Sequence, residues 1–105
     1  MSIKKTFFPE KGVCRVIFSL PDSLVDHVKK VAIVGDFNDW HPEKHPMKKI
    51  ENGKFAFTLE LPLGRDYQFR YLIDSYRWES DKDADALAPT PYEDVYNSVI
   101  KCTLH

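Results

Sequence analysis

The sequence has little of what marks several common classes of protein. Its two cysteines, Cys14 and Cys102, form no C-x-x-C motif and have no histidine at ligand spacing. Its four glycines are scattered, and none belongs to a phosphate-binding loop. No apolar segment approaches the ~20 residues that a membrane-spanning helix requires. These absences argue against a metal-finger domain, a nucleotide-binding loop and a helical membrane protein.

An excess of charge of either sign is also missing. The 15 Lys and Arg residues nearly balance the 16 Asp and Glu residues, which leaves a formal net charge of −1. This balance offers no electrostatic footprint for a nucleic-acid backbone or an anionic membrane, so we expect neither as a partner. The N-terminal residues include two lysines but no apolar stretch after them, so we find no secretory signal and expect a cytoplasmic protein.

What is present is the composition of one globular domain. Hydrophobic residues make up 43% and charged residues 30% of the 105 residues, which allows one core and leaves no room for a second. We therefore expect a single domain over residues 1–105, with no catalytic domain and no cofactor. Both cysteines fall on the apolar faces of alternating segments and are expected to be free core thiols, Cys14 with Val16, Phe18 and Leu20, and Cys102 with Ile100 and Leu104.

Short alternating segments predict an all-β fold. Strands are expected at about 12–20, 30–35, 54–61, 67–73 and 97–104, with short pieces at 47–50 and around a hairpin at 74–78. Residues 81–96 are expected to form a polar excursion without a strand. No long helical period occurs, so the pattern predicts an antiparallel β-sandwich. In the strand at 67–73, alternation directs Gln68 and Arg70 away from the core.

The segment from Val31 to Trp40 combines a buried strand with a shaped turn. Val31–Val34 is apolar throughout, and the chain then turns through Gly35–Asp39, whose residue types favour turns. Trp40 at the end of this turn and Trp78 after the later hairpin both have polar neighbours. An indole in such a place either caps one end of the sandwich or covers the apolar face of a sugar ring. Composition alone leaves both interpretations open.

No catalytic or metal site is indicated. His41, Glu43 and His45 lie in a proline-broken loop, where an ordinary surface loop is the better interpretation. An acidic cluster raises the question of a glycosidase, because such enzymes use paired carboxylates. The cluster is predicted to be a solvated acidic turn, and consists of Asp74, Glu79, Asp81, Asp83 and Asp85.

Four segments taken together resemble carbohydrate-binding module family 48. They are VAIVGDFNDW, NGKFAFTLELPLGRDYQFRYLID, the W-E-S-D that follows, and YNSVIK. This family includes the glycogen-binding domain of the AMP-activated protein kinase β subunit and the N-terminal domains of isoamylase-type and glycogen branching enzymes. The resemblance implies an immunoglobulin-like antiparallel β-sandwich of the early-set (E) type, with a family-like core at about 12–104.

The resemblance also implies a ligand and a site. The ligand is α-1,4-glucan such as glycogen or a starch-type oligosaccharide, and Trp40 and Trp78 match the tryptophans that stack on sugar rings. Arg70 stands in the place of a sugar-contacting lysine, and Asn97 matches an asparagine that bonds glucose hydroxyls. The turn before Trp78 is longer than the family pattern by about one residue.

Two functions follow as expectations. The first is a stand-alone, non-catalytic module that binds α-glucan. The alternative is an interaction or regulatory domain that docks on a separate glycogen-metabolising enzyme, such as a glycoside hydrolase of family 13 type, and itself binds little glucan. Hydrolase activity in this chain alone is not expected.

Overall fold

Nine strands in two antiparallel sheets make up the fold of residues 2–104, which the computed structural model describes. The strands are β1 (Ile3–Phe8), β2 (Val13–Ser19), β3 (Val31–Gly35), β4 (Lys48–Lys49), β5 (Phe55–Pro62), β6 (Arg65–Ile73), β7 (Arg77–Glu79), β8 (Ala86–Pro89) and β9 (Tyr96–Cys102). Four single turns of 3₁₀-helix lie between them, at Pro9–Lys11, Asp22–Leu24, Asp36–Asn38 and Glu51–Gly53. The first sheet has the order β1-β2-β5-β4 and the second has the order β3-β6-β9-β8. The predicted immunoglobulin-like antiparallel β-sandwich is confirmed.

Strand β6 organises the second sheet. One of its edges pairs with β3 over residues 69–73. The other edge pairs first with β9, over residues 65–69, and then with β7, over residues 71–73. Arg70 lies at the point where this second edge changes partner, which we call the fork of β6.

The two sheets enclose a core to which β2 contributes every second residue. The inward residues of β2 are buried as expected, and those of β6 pack against them through an edge-to-face contact of Phe18 with Phe69, whose ring centroids are 5.0 Å apart. Cys14 and Cys102 are fully buried free thiols. Burial and the neighbouring Cys14 raise the pKa of Cys102 to about 12, so this thiol stays protonated at neutral pH.

Three local predictions were wrong. β1 and β8 are strands that the sequence pattern did not indicate, and both lie at sheet edges. Leu104 was expected to share the buried face of Cys102, but the last strand ends at Cys102 and Leu104 is 47% exposed.

The third wrong prediction concerns the acidic cluster, which was expected to be solvated. Asp81, one of its members, is fully buried. Its carboxylate accepts hydrogen bonds from the hydroxyls of Ser2 and Tyr71, each at 2.7 Å, and from the N–H of Asp83 at 2.9 Å. Its own N–H donates to the hydroxyl oxygen of Ser98 at 2.6 Å. Burial, with Asp81 alongside, raises the pKa of Tyr71 well above its usual value. Asp81 therefore ties the segment after β7 to the core.

Candidate functional site

The turn after β3 requires glycine at position 35. A Cβ atom on Gly35 would lie 2.4 Å from the carbonyl oxygen of Gln68 and 2.7 Å from the Cβ of Phe69. The φ of Gly35 is −173°, an angle that any residue adopts, so close approach to β6 and not backbone conformation selects glycine here. This contact brings the start of the turn directly against the second sheet.

Asn38 holds the turn from inside. Its side-chain oxygen accepts the N–H of Gly35 at 3.0 Å, and its amide nitrogen donates to the carbonyl of Ile33 at 3.0 Å. These two bonds fix the orientation of the amide, so the second amide hydrogen points to Nδ1 of His45, 2.9 Å away. Nδ1 of His45 must accept this hydrogen and so carries no proton of its own. The imidazole is therefore neutral. Burial lowers the pKa of His45, which favours the same state.

Asp36 fixes the indole of Trp40. One carboxylate oxygen accepts the Nε1–H of Trp40 at 2.9 Å, and the other accepts the backbone N–H of Gln68 at 2.7 Å. The chain reaches this position through two residues in the left-handed region, with φ of 56° at Asp39 and 58° at Trp40. Trp40 is half-buried and lies outside the core cluster. It is thus held at the end of β3, beside Gln68, instead of plugging the sandwich.

Trp78 and Arg70 form a contact on the outer face of the second sheet. Trp78 pairs with Leu72, so its side chain lies on the same face as the even-numbered residues of β6. It is 40% exposed. The guanidinium carbon of Arg70 lies 5.1 Å from the centroid of the Trp78 indole, within the range of a cation–π interaction. The outward direction of Arg70 is as the alternation predicted.

Asn97 joins this group from β9. The pairing of β6 with β9 ends at Phe69 and Ser98. The next residues along the two strands, Arg70 and Asn97, therefore lie next to each other. The amide nitrogen of Asn97 donates to the side-chain oxygen of Gln68 at 3.0 Å. Trp78, Arg70 and Asn97 therefore lie around the fork on one face of the second sheet, and Trp40 lies at the end of β3, tied through Asp36 to the backbone of Gln68.

Three residues that shape this site were not predicted from the sequence. Gln68 was predicted to point outward but was given no role, although it contacts both Asn97 and Asp36. Asp36 and Asn38 were assigned only to a turn. Their contacts reach residues up to 32 positions away, and a turn-forming residue type carries no signal for such a contact. His45, considered above as a metal ligand, has its Nδ1 committed to Asn38.

An open face with aromatic and polar side chains on a β-sandwich is suited to recognising an extended ligand such as an oligosaccharide. The chain belongs to the family described as the glycogen recognition site of AMP-activated protein kinase, whose family model matches residues 25–101. The matched domain is one of recognition and carries no catalysis of its own.

Curated relatives are 1,4-alpha-glucan branching enzymes. The enzyme of Xanthomonas campestris pv. campestris is 39% identical over 44 residues, which are 41% of this chain and 6% of the enzyme. That of Cupriavidus necator is 33% identical over 66 residues, 59% of this chain and 9% of the enzyme. That of Deinococcus radiodurans is 37% identical over 62 residues, 58% of this chain and 8% of the enzyme. The chain thus matches less than a tenth of the length of each relative.

Within residues 2–104, no helix is long and apolar enough to cross a membrane.

Proposed function

We propose that this chain is a non-catalytic module that binds α-1,4-glucan in the cytoplasm. Trp40 and Trp78 stack on sugar rings, and Arg70 and Asn97 bond sugar hydroxyls. The observation that carries the proposal is the placement of Trp78, Arg70 and Asn97 on one exposed face, with a fixed Trp40 at its end. Family membership supplies the ligand class.

The chemistry of this face fits a pyranose. An indole covers the apolar C–H face of the ring, while amide and guanidinium groups beside it bond the hydroxyls at the ring edge. Arg70 adds a planar fork of donors next to the stacking surface of Trp78, which a lysine would not supply. Because an open face buries little of its ligand, we expect dissociation constants on the order of micromolar to millimolar.

A second function is favoured by one observation about the relatives. Each branching enzyme carries its matching region within a much longer chain, so a domain of this kind exists beside an enzyme. The corresponding proposal is that this chain docks on a separate glycogen-metabolising enzyme and binds little glucan alone.

Retention on glycogen distinguishes the two functions. We expect the wild-type chain to be retarded in a native gel that contains glycogen, and Trp40→Ala and Trp78→Ala to migrate as in a gel without it. The control is Ile17→Ala, which removes an apolar side chain that is 36% exposed on the other sheet. Near-ultraviolet circular dichroism checks that each variant is folded. Unchanged retention of both tryptophan variants would refute the site, whereas no wild-type retention together with capture of a purified branching enzyme would favour docking.

A further inference from the structure

A groove of about 470 Å³ lies beside the platform formed by Trp78, Arg70 and Asn97. Its floor is Ala32 and Leu72, and Pro42 and Pro46 line it on the side of the loop that follows Trp40. The volume falls within the range of about 300–1,000 Å³ that is usual for small-ligand sites. None of these residues was assigned a role above.

The groove is continuous with the stacking surface of Trp78. Ala32 pairs with Leu72, and Leu72 pairs with Trp78 on the opposite edge of β6. Directly paired residues point to the same face of an antiparallel sheet, so the three side chains form one row. A ligand that stacks on Trp78 and continues across Leu72 therefore enters the groove above Ala32.

Backbone hydrogen bonds fix one wall of the groove. The loop that contains Pro42 and Pro46 is fastened to β3, because the N–H of Ile33 donates to the carbonyl of His45 at 3.0 Å and the N–H of Met47 donates to the carbonyl of Val31 at 2.8 Å. Pro46 itself forms a bridge with Ala32. The groove is thus bounded on this side by chain that is anchored on both flanks of the bridge.

A carboxylate fixes a second wall, at the start of β3 and the end of β6. One oxygen of Asp74 accepts the N–H groups of Lys29 and Lys30, both at 2.9 Å, and so ties the β6–β7 turn to the entry of β3. Lys30 and Ser75 line the groove on this side. Ser75 belongs to the β6–β7 turn that Asp74 ties down, so this side of the groove is fixed as well.

We propose that this groove is a further glucose subsite, which receives the sugar residues that continue beyond the one stacked on Trp78. The apolar floor suits the C–H face of a pyranose, and the rim supplies hydroxyl partners in Lys30, Glu43 and Ser75. The inference rests on the proposed glucan-binding function, and it makes the chain selective for oligosaccharides long enough to span both places. A trisaccharide occupies only the platform formed by Trp78, Arg70 and Asn97. A heptasaccharide occupies both this platform and the groove.

Two variants that each replace an alanine with leucine test the subsite, one in the groove and one as its control. Ala32→Leu fills the groove from its floor, and Ala56→Leu adds the same atoms to a half-buried outward position on the other sheet. With titration calorimetry we expect Ala32→Leu to weaken maltoheptaose binding about three- to tenfold and to leave maltotriose binding within about twofold. Ala56→Leu should match the wild type for both sugars. Equal maltoheptaose affinity for the two variants would overturn the subsite.

A measurement on the wild-type chain makes the test independent of any folding defect. In ¹³C-methyl NMR spectra, maltoheptaose should shift the signals of Ala32 and Leu72, and maltotriose at equal saturation should shift them much less; the indole N–H signal of Trp78 in ¹⁵N spectra reports on the stacking surface. If maltoheptaose binds and shifts Trp78 but not the two methyl-bearing residues, the subsite is wrong and glucan binding stands. If neither sugar binds, the proposed function fails and the subsite with it.

Discussion

Replacing Asp36 with asparagine tests how the protein fixes Trp40. The substitution keeps the shape of the side chain but turns one acceptor oxygen into a donor NH₂ group. The remaining oxygen is expected to keep the backbone N–H of Gln68, which has the shorter bond at 2.7 Å. The NH₂ group then faces the Nε1–H of Trp40, and the bond that holds the indole at 2.9 Å is lost.

The size of the effect follows from what the lost bond does. Hydrogen bonds to charged groups contribute about 1.5–3 kcal/mol to folding, and the variant should lose an amount of that order. A freed indole must also be immobilised when ligand binds, which costs about 0.5–1.5 kcal/mol. This cost corresponds to a rise of about two- to twelvefold in the dissociation constant for maltoheptaose, measured by calorimetry.

Asp39→Asn is the matched control. It removes the same charge from the same turn, but Asp39 is exposed, and asparagine tolerates the left-handed conformation that position 39 requires, with φ of 56°. Any difference between the variants therefore comes from the hydrogen bonds of Asp36. The reasoning would be refuted if Asp36→Asn and Asp39→Asn bound maltoheptaose with the same affinity.

Two further predictions concern the same turn. Gly35→Ala forces a Cβ to within 2.4 Å of the carbonyl oxygen of Gln68, so chemical denaturation should show a loss of about 1–3 kcal/mol or more, and a loss near zero would contradict this close packing. The pKa of His45 lies below its usual value of 6.5 in the folded state, so the unfolded chain binds more protons as the pH falls below that value. The free energy of unfolding should therefore decline from pH 6.5 downward until the folded pKa is passed. His45→Gln, which still offers an acceptor to Asn38, should reduce this decline, and an identical slope in the variant would refute the role of His45.

Alternation predicted the interior strands because each of them is buried on one face and paired on both edges. β2, β5 and β6 have that environment, and their inward residues follow the pattern. The two strands that were missed, β1 and β8, lie at sheet edges, where burial constrains the pattern less. In β1 the inward position of Lys5 breaks the apolar pattern, and this lysine forms an ion pair with Asp85 at 2.7 Å. In β8, four residues that end in proline offer too short a pattern to detect.

The candidate site, like the set of strands, could be predicted only in part. The outward direction of Arg70 could be predicted because strand parity is a local property. The supports of the site could not be predicted, because they depend on which strands become neighbours. Asp36 bonds the backbone of β6, and Asp81 bonds Ser2 at the far end of the chain. A polar residue in a turn looks the same in sequence whether it faces water or such a partner.

The fork of β6 makes the two halves of the platform separately adjustable. Asn97 is placed by the pairing of β6 with β9, and Trp78 is placed by the pairing of β6 with β7. A change in the length of the β6–β7 turn therefore alters the register that places Trp78 and leaves the pairing that places Asn97 unchanged. Under the proposed function, a change in this one hairpin alters the position of Trp78 relative to Asn97, and with it the shape of glucan that the platform accepts.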